Sequence, residues 1–226
     1  IIEAADRGVQ VRLLLDGLFH NLRGRNQHAL YALAAHPNIK LKYYEPLNLS
    51  QPWTWNNRLH DKLIIVDDQL AMIGGRNIGD KFFIQDYDGD PVLDRDVVII
   101  NTDGSRSSAV NQISQYYQQV WSHHYSRSPA AQLTERQQQS GLEHANVLRE
   151  YINQKRQSEP DQFGRYFDWA GESVPTQKVT LIHNPIQRFN KEPWVWQEFV
   201  GLLEQAEISV FIQSPYVIPS RQMRRY

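Results

Sequence analysis

The chain has 226 residues, 41% hydrophobic and 22% charged, with a net charge of −1. That balance supports a packed core and excludes a disordered chain, a polybasic nucleic-acid wrapper and an acidic solvating tail. Cysteine is absent, which excludes disulfides, thiolate zinc sites and cysteine nucleophiles, and no apolar run reaches the roughly 20 residues that span a bilayer.

The predicted elements alternate from the start. Ile1–Arg7 reads as a helix stopped by Gly8, and Val9–Leu15 as a strand running into Asp16-Gly17. Arg25–Ala35 is a helix closed by His36-Pro37-Asn38, and Ile39–Tyr44 alternates with period 2 as a strand. Glu45–Trp55 is a loop rich in proline and tryptophan. Leu59–Val66 and Leu70–Ile73 are strands joined at Asp67-Asp68 as a hairpin, and the second runs into Gly74-Gly75. Val97–Ile100 is a further strand, and Ser107–Tyr125 carries Ile113, Tyr117, Val120 and Trp121 at helical spacing. The composition then turns polar. Ser126–Gly171 reads as one or two amphipathic helices, with Gln137–Gln139 as solvated helix surface. The α/β rhythm restarts with a strand at Val179–His183, a helix at Pro193–Ala206 and a strand at Ile208–Gln213. This divides the chain into 1–125, a polar helical connector at 126–177, and the beginning of a second α/β half at 178–226. The chain opens at Ile1 on what reads as the middle of a helix, so both ends are expected to be cuts rather than natural termini.

The chemistry concentrates in Leu59–Asn77, LHDKLIIVDDQLAMIGGRN. Residues two apart on a strand share a face, so the reading places the His60 imidazole beside the Lys62 ammonium. Like-charge repulsion favours the neutral imidazole, which is a nucleophile or a base. The lysine can hold an anion in front of it. Gly74-Gly75 lets backbone approach a ligand, and Asn77 adds a neutral donor. The set suits a phosphate site with an attacking nitrogen, and it requires no metal or other cofactor. Asp67 falls on the opposite face and reads as the residue that fixes the turn. Six positions matching at fixed offsets arise by chance with a probability on the order of 10⁻⁵ in such a chain.

His60-x-Lys62-x4-Asp67-x6-Gly74-Gly75-x-Asn77 resembles the HKD motif of the phospholipase D superfamily. The flanks EAADRGVQVRLLLD (Glu3–Asp16), HPNIKLKYYEP (His36–Pro46), GGRNIGDKFF (Gly74–Phe83) and DRDVVII (Asp94–Ile100) are similar to the bacterial cardiolipin synthase branch, its C-type synthases in particular. Ser214–Pro219 looks like the opening of the second half in that branch. The resemblance implies a phospholipase D-like α/β/α sandwich, a mixed sheet with helices on both faces. It implies two HKD motifs meeting in one active site, with one histidine forming a covalent phosphohistidine and the other protonating the leaving alcohol. Mapped here, His60 is the nucleophile, Lys62 and Asn77 bind the phosphoryl oxygens, and Asp96 orients the imidazole, with Asp94 as the alternative.

Only one such motif is present, because no other histidine has lysine two residues on. The resemblance therefore implies that a second motif-bearing half completes the site. It implies transfer of a phosphatidyl group from one phospholipid to the hydroxyl of phosphatidylglycerol, at a bacterial inner membrane, by a peripheral protein. The alternatives are a phospholipase D that hydrolyses headgroups and a metal-independent nuclease. The near-neutral charge argues against a nucleic-acid partner. The chain taken alone is expected to be an incomplete enzyme. The His60 strand is expected to lie centrally with its active face open and prone to self-association. Trp53 and Trp55 are candidates for lipid contact, Trp194 and Trp196 read as core, and Arg221, Arg224 and Arg225 as a solvated basic face.

Overall fold

The structure, a computed structural model, describes residues 1–83, 88–90, 92–129, 131–163, 166–176, 178–187 and 192–214, apart from the side chain of Asp80. The chain forms two compact units, Ile1–Leu181 and Ile182–Tyr226.

The first unit opens with helix α1 (Ile2–Asp6), strand β1 (Val11–Asp16), helix α2 (Gln27–Ala35) and strand β2 (Ile39–Tyr44). β1 and β2 pair in parallel, with Val11 opposite Ile39 and Asp16 opposite Tyr44. The short β6 (Ser126–Arg127) adds antiparallel to β2, so this three-stranded sheet is mixed. Alternation gives the sheet one apolar face and one mixed face that carries Arg12, Leu14 and Lys42. Val11, Leu13 and Ile39 pack under Ile2 and Ala5 of α1, Ala32 of α2, and Ala145 and Leu148 of the long helix α5 (Glu135–Ser158). The opposite face meets α4 (Ala109–Ser122): Lys42 Nζ donates to Trp121 O at 2.8 Å, and the Arg12 guanidinium lies over Tyr117 and Trp121. Helices thus cover both faces of this sheet. The segment 126–177, read from composition as a connector, supplies β6 and α5 to it. Thr134 and Gln137 form a capping box at the start of α5, and Gln137 Nε2 also donates to Tyr31 Oη, so Gln137 is built into the packing.

Strands β3 (Leu63–Val66), β4 (Leu70–Gly74) and β5 (Asp96–Ile100) make a separate antiparallel sheet in that order. Ala71 is fully buried against Val110 and Ile113 of α4, with Leu63, Ile65, Ile73 and Ile99 around them. α4 therefore packs on both sheets. The expected mixed sheet with helices on both faces is β1–β2–β6, and the described residues add a second three-stranded sheet to it. One expectation is corrected: among the described residues β3 is an edge strand rather than a central one. Asp16 at the end of β1 accepts from the Arg58 side chain and the Leu59 amide, which ties the first sheet to the segment that leads into β3. The outer face of β3 is open, with Ile64 and Val66 about half exposed at 50% and 47%.

The β3–β4 turn has Asp67 at φ +50° and Asp68 at φ +52°, and Gln69 N donates to Val66 O at 3.0 Å. Two central residues with positive φ define a turn whose twist matches the flanking strands, and aspartate tolerates that conformation. Asp68 also accepts a 2.6 Å bond from Ser114 Oγ of α4. Asp67→Val is expected to cost about 1–2 kcal/mol in urea unfolding, because a β-branched residue is strained at positive φ. Asp67→Gly should cost far less.

α1 is tied to α5 by charge. Asp6 accepts from Arg149 at 2.7 and 2.8 Å and pairs with His36 at 3.1 Å, while Glu3 pairs with Arg156 at 2.7 Å. The Arg149 bond pulls the Asp6 carboxyl from its ordinary 3.8 down to about 2, and Arg156 lowers Glu3 in the same way. A carboxylate with a depressed pKa stabilises the fold above its unfolded pKa, and that stability disappears as pH falls through the folded value. Melting temperature is therefore expected to drop between about pH 4 and pH 2, and Asp6→Asn should flatten part of that slope.

In the second unit, α7 (Trp194–Glu204) forms as expected, with Pro193 at its N-cap. Its residues are not buried: Trp194 is exposed and donates to Glu192 Oε2, and Trp196 lies against Phe199 on the helix surface. The reading of these tryptophans as core is corrected accordingly. Val179–His183 and Ile208–Gln213 form no ladder, since a strand needs a hydrogen-bonded neighbour and none of the described residues supplies one. Apart from Ser214, the segment Ser214–Pro219 lies outside the described residues, as do Arg221, Arg224 and Arg225.

Candidate active site

Of the predicted residues, His60, Lys62, Gly74, Gly75 and Asp96 lie at one end of the β3–β4–β5 sheet, and Asp67 lies at the other, in the β3–β4 turn. Lys62 O accepts from Gly74 N at 3.4 Å, and Gly74 pairs with Asp96, so the three sit side by side across the strands. β3 begins at Leu63, later than the expected Leu59. His60 and Lys62 therefore belong to the segment entering the strand, and the shared-face argument holds only from Leu63 onward. His60 is exposed. Lys62 is half-buried, and its Nζ donates to His60 O at 2.7 Å. Burial lowers the pKa of that ammonium below its ordinary value, and the carboxylates of Asp61 and Asp94 partly offset the effect. Asn77 is exposed in the loop after β4.

The segment that presents His60 is held from several sides. Asp16 Oδ1 accepts from the amides of Leu18 and Phe19, both at 2.8 Å, and from Arg58; its Oδ2 accepts from Leu59 N at 3.0 Å. Arg58 also donates to Glu45 O at 2.8 Å. One residue past His60, Asp61 Oδ2 accepts a 2.6 Å bond from Tyr116 Oη of α4. Burial and the Asp61 charge push the Tyr116 phenol well above its ordinary pKa, so it stays a donor. His60 thus sits between two anchored neighbours.

Gly74 and Gly75 have a reason visible in the packing. A Cβ on Gly74 would collide with the Asp96 carboxyl, and one on Gly75 would lie 2.6 Å from Asp94 Oδ2. The room these glycines leave is taken by carboxylates of this chain, where the sequence reading had assigned it to a ligand. Asp96, read as the carboxylate that orients His60, is bonded to Arg76: Arg76 Nε donates to its Oδ2 at 2.8 Å. Arg76 also donates to Asp94 O and Phe82 O, each at 2.7 Å. One guanidinium therefore gathers the end of β4, the start of β5 and helix α3 (Asp80–Phe83).

Sequence reasoning missed Arg76, Asp16, Arg58 and Tyr116. Arg76 occupies a position the motif leaves open, and its signal is the two aspartates of Asp94-Arg95-Asp96 that need a cation. Asp16 was noted only as the end of a strand. Taken together, an exposed imidazole, a partly desolvated ammonium and an exposed amide at one sheet end can attack and hold a phosphodiester.

Comparison with known proteins gives the same direction. A family model described as "Cardiolipin synthase, PLD-like domain" matches residues 1–121. An uncharacterized protein of Helicobacter pylori (strain ATCC 700392 / 26695) is 29% identical over 253 aligned residues, covering 100% of this chain and 47% of that one. Cardiolipin synthase C of Escherichia coli (strain K12) is 38% identical over 92 residues, covering 37% of this chain and 19% of that protein. The chain spans about half the length of the Helicobacter relatives it matches.

Proposed function

Because the chain belongs to the phospholipase D-like family whose model is described as cardiolipin synthase, we propose that it is a phosphatidyltransferase working through a phosphohistidine at His60. The observation that carries this reading is the placing of His60 and Lys62 beside Gly74 and Asp96 at one sheet end, with His60 exposed and Lys62 Nζ bonded to the His60 carbonyl.

In the proposed reaction the neutral His60 imidazole attacks the phosphorus of phosphatidylglycerol or phosphatidylethanolamine. The bond from phosphorus to the headgroup oxygen breaks, and the leaving alkoxide takes a proton from a second histidine. Lys62 and Asn77 meet the charge that grows on the non-bridging oxygens. A phosphatidylglycerol hydroxyl then attacks the phosphohistidine and gives its proton back to the second histidine, and cardiolipin leaves. That second histidine comes from a second motif-bearing half, which these 226 residues do not contain. Arg76 and Asp16 act by position: they fix the two segments that carry the reacting groups.

A second reading has water as acceptor, giving phosphatidic acid, and the exposure of His60 favours it. Headgroup release separates the readings. Labelled phosphatidylglycerol vesicles incubated with this chain should release one glycerol per chain and then stop, because the second histidine is missing. When a second motif-bearing half is supplied, cardiolipin among the products supports transfer, and phosphatidic acid supports hydrolysis. Cleavage of an oligonucleotide with no lipid product would overturn the lipid assignment.

A further inference from the structure

β1 and β2 are parallel, and two loops leave their carboxyl ends side by side. In open α/β sheets this is the edge whose loops contact ligands. The loop 17–26 exposes Phe19 at 65%. The loop 45–58 exposes Leu49 at 78%, Trp53 at 59%, Leu47 at 44% and Trp55 at 40%. The loops are locked together at their bases. Gly17 N donates to Tyr44 O at 2.8 Å, and a Cβ on Gly17 would lie 2.5 Å from Pro46 Cα. Asp16 then bonds Arg58 and Leu59, the residues just before His60. Both loops therefore project from the edge that presents His60.

Their charge is one-sided. The loop 17–26 carries Arg23 and Arg25, both exposed, and no carboxylate. In 45–58 the one carboxylate, Glu45, is buried at 6%. The surface is thus apolar and aromatic at its tips, basic at its flank and free of exposed acid. Amphipathic indole rings prefer the headgroup layer, and guanidinium groups meet anionic phosphates there. Five large apolar side chains on two adjoining loops also exceed what scattered surface hydrophobics explain.

We propose that these loops form a lip that seats the chain on an anionic phospholipid surface, with Phe19, Leu49 and Trp53 entering the headgroup layer and Arg23 and Arg25 pairing with phosphates. The lip brings the His60 end of the sheet to headgroups held in a bilayer. This rests on the reading of the chain as a phospholipid enzyme, and it narrows the substrate to lipid presented at a surface.

The test is flotation with vesicles of phosphatidylcholine alone and of phosphatidylcholine mixed with phosphatidylglycerol. The unaltered chain should float with the mixed vesicles. A Leu49→Asp/Trp53→Ser double variant should bind them about tenfold more weakly or worse, with an unchanged melting curve. An Arg23→Gln/Arg25→Gln variant should lose the preference for the anionic mixture and its salt sensitivity. Headgroup release from a short-chain, monomeric phosphatidylglycerol needs no surface, so its retention in the double variant supports the lip. If the unaltered chain floats but releases no headgroup from either substrate, the lip stands and the enzymatic reading fails. Equal flotation of the folded double variant, or no flotation of the unaltered chain, overturns the proposal. So does a change confined to the sedimentation of the lipid-free chain, which would make these loops a contact between copies.

Discussion

His60→Ala is expected to abolish headgroup release, by about 10⁴-fold or more, because it removes the proposed nucleophile. The same substitution should leave stability within about 0.5 kcal/mol, since His60 is exposed. That separation of activity from stability identifies a reacting group. Lys62→Ala should cost about 10²–10³-fold, the scale of one lost charge contact to the developing oxyanion. Its effect on the fold should also be small, because the bond it gives up is a single one to the His60 carbonyl. Release of labelled glycerol, read beside a thermal melt of each variant, checks both. A His60→Ala chain that still releases headgroup would remove His60 from the chemistry.

Arg76→Ala is expected to damage the fold and the site together, costing about 2–4 kcal/mol in urea unfolding. The reason is the number of groups left behind. Asp96 is mostly buried, with its side chain 16% exposed, and it would lose its cation. The carbonyls of Asp94 and Phe82 would lose donors at the same time. Arg76→Lys should recover only part of this, because a point charge cannot satisfy acceptors arranged around a planar fork. Asn77 follows Arg76 directly, and Gly74 and Gly75 precede it with no space for side chains of their own. Headgroup release should therefore fall in proportion to the loss of order in this loop. An Arg76→Ala chain as stable as the original would mean that the gathering of three segments by this residue is unimportant.

Much of the first sheet was legible because its signals are local. Gly8, with φ +93°, ends α1 where a glycine is expected, and Ile39–Tyr44 shows the alternation of a strand with one well-packed face. Asp67-Asp68 between two apolar runs announced its turn. The start of β3 was not legible, because it depends on Asp16, more than forty residues away, which takes the Leu59 amide out of any ladder. The motif was visible through its spacing, but the partner of Asp96 was not. A carboxylate near a motif histidine suggests an imidazole contact, and only three dimensions show that the Arg76 guanidinium, from the loop after β4, is bonded to it. In the second unit, the sequence pattern of Ile208–Gln213 is that of a strand, and pattern alone cannot provide the neighbour a strand pairs with.

The central claim is that His60 takes up the phosphatidyl group, and acid-quenched intact mass tests it most directly. The chain is mixed with phosphatidylglycerol vesicles, quenched within the first turnover and weighed, with His60→Ala run beside it. The account predicts a mass increase of one phosphatidyl group that maps to the peptide containing His60 and is absent from the variant. An adduct of the same size in the variant, or a nucleotide adduct after incubation with an oligonucleotide, would contradict it.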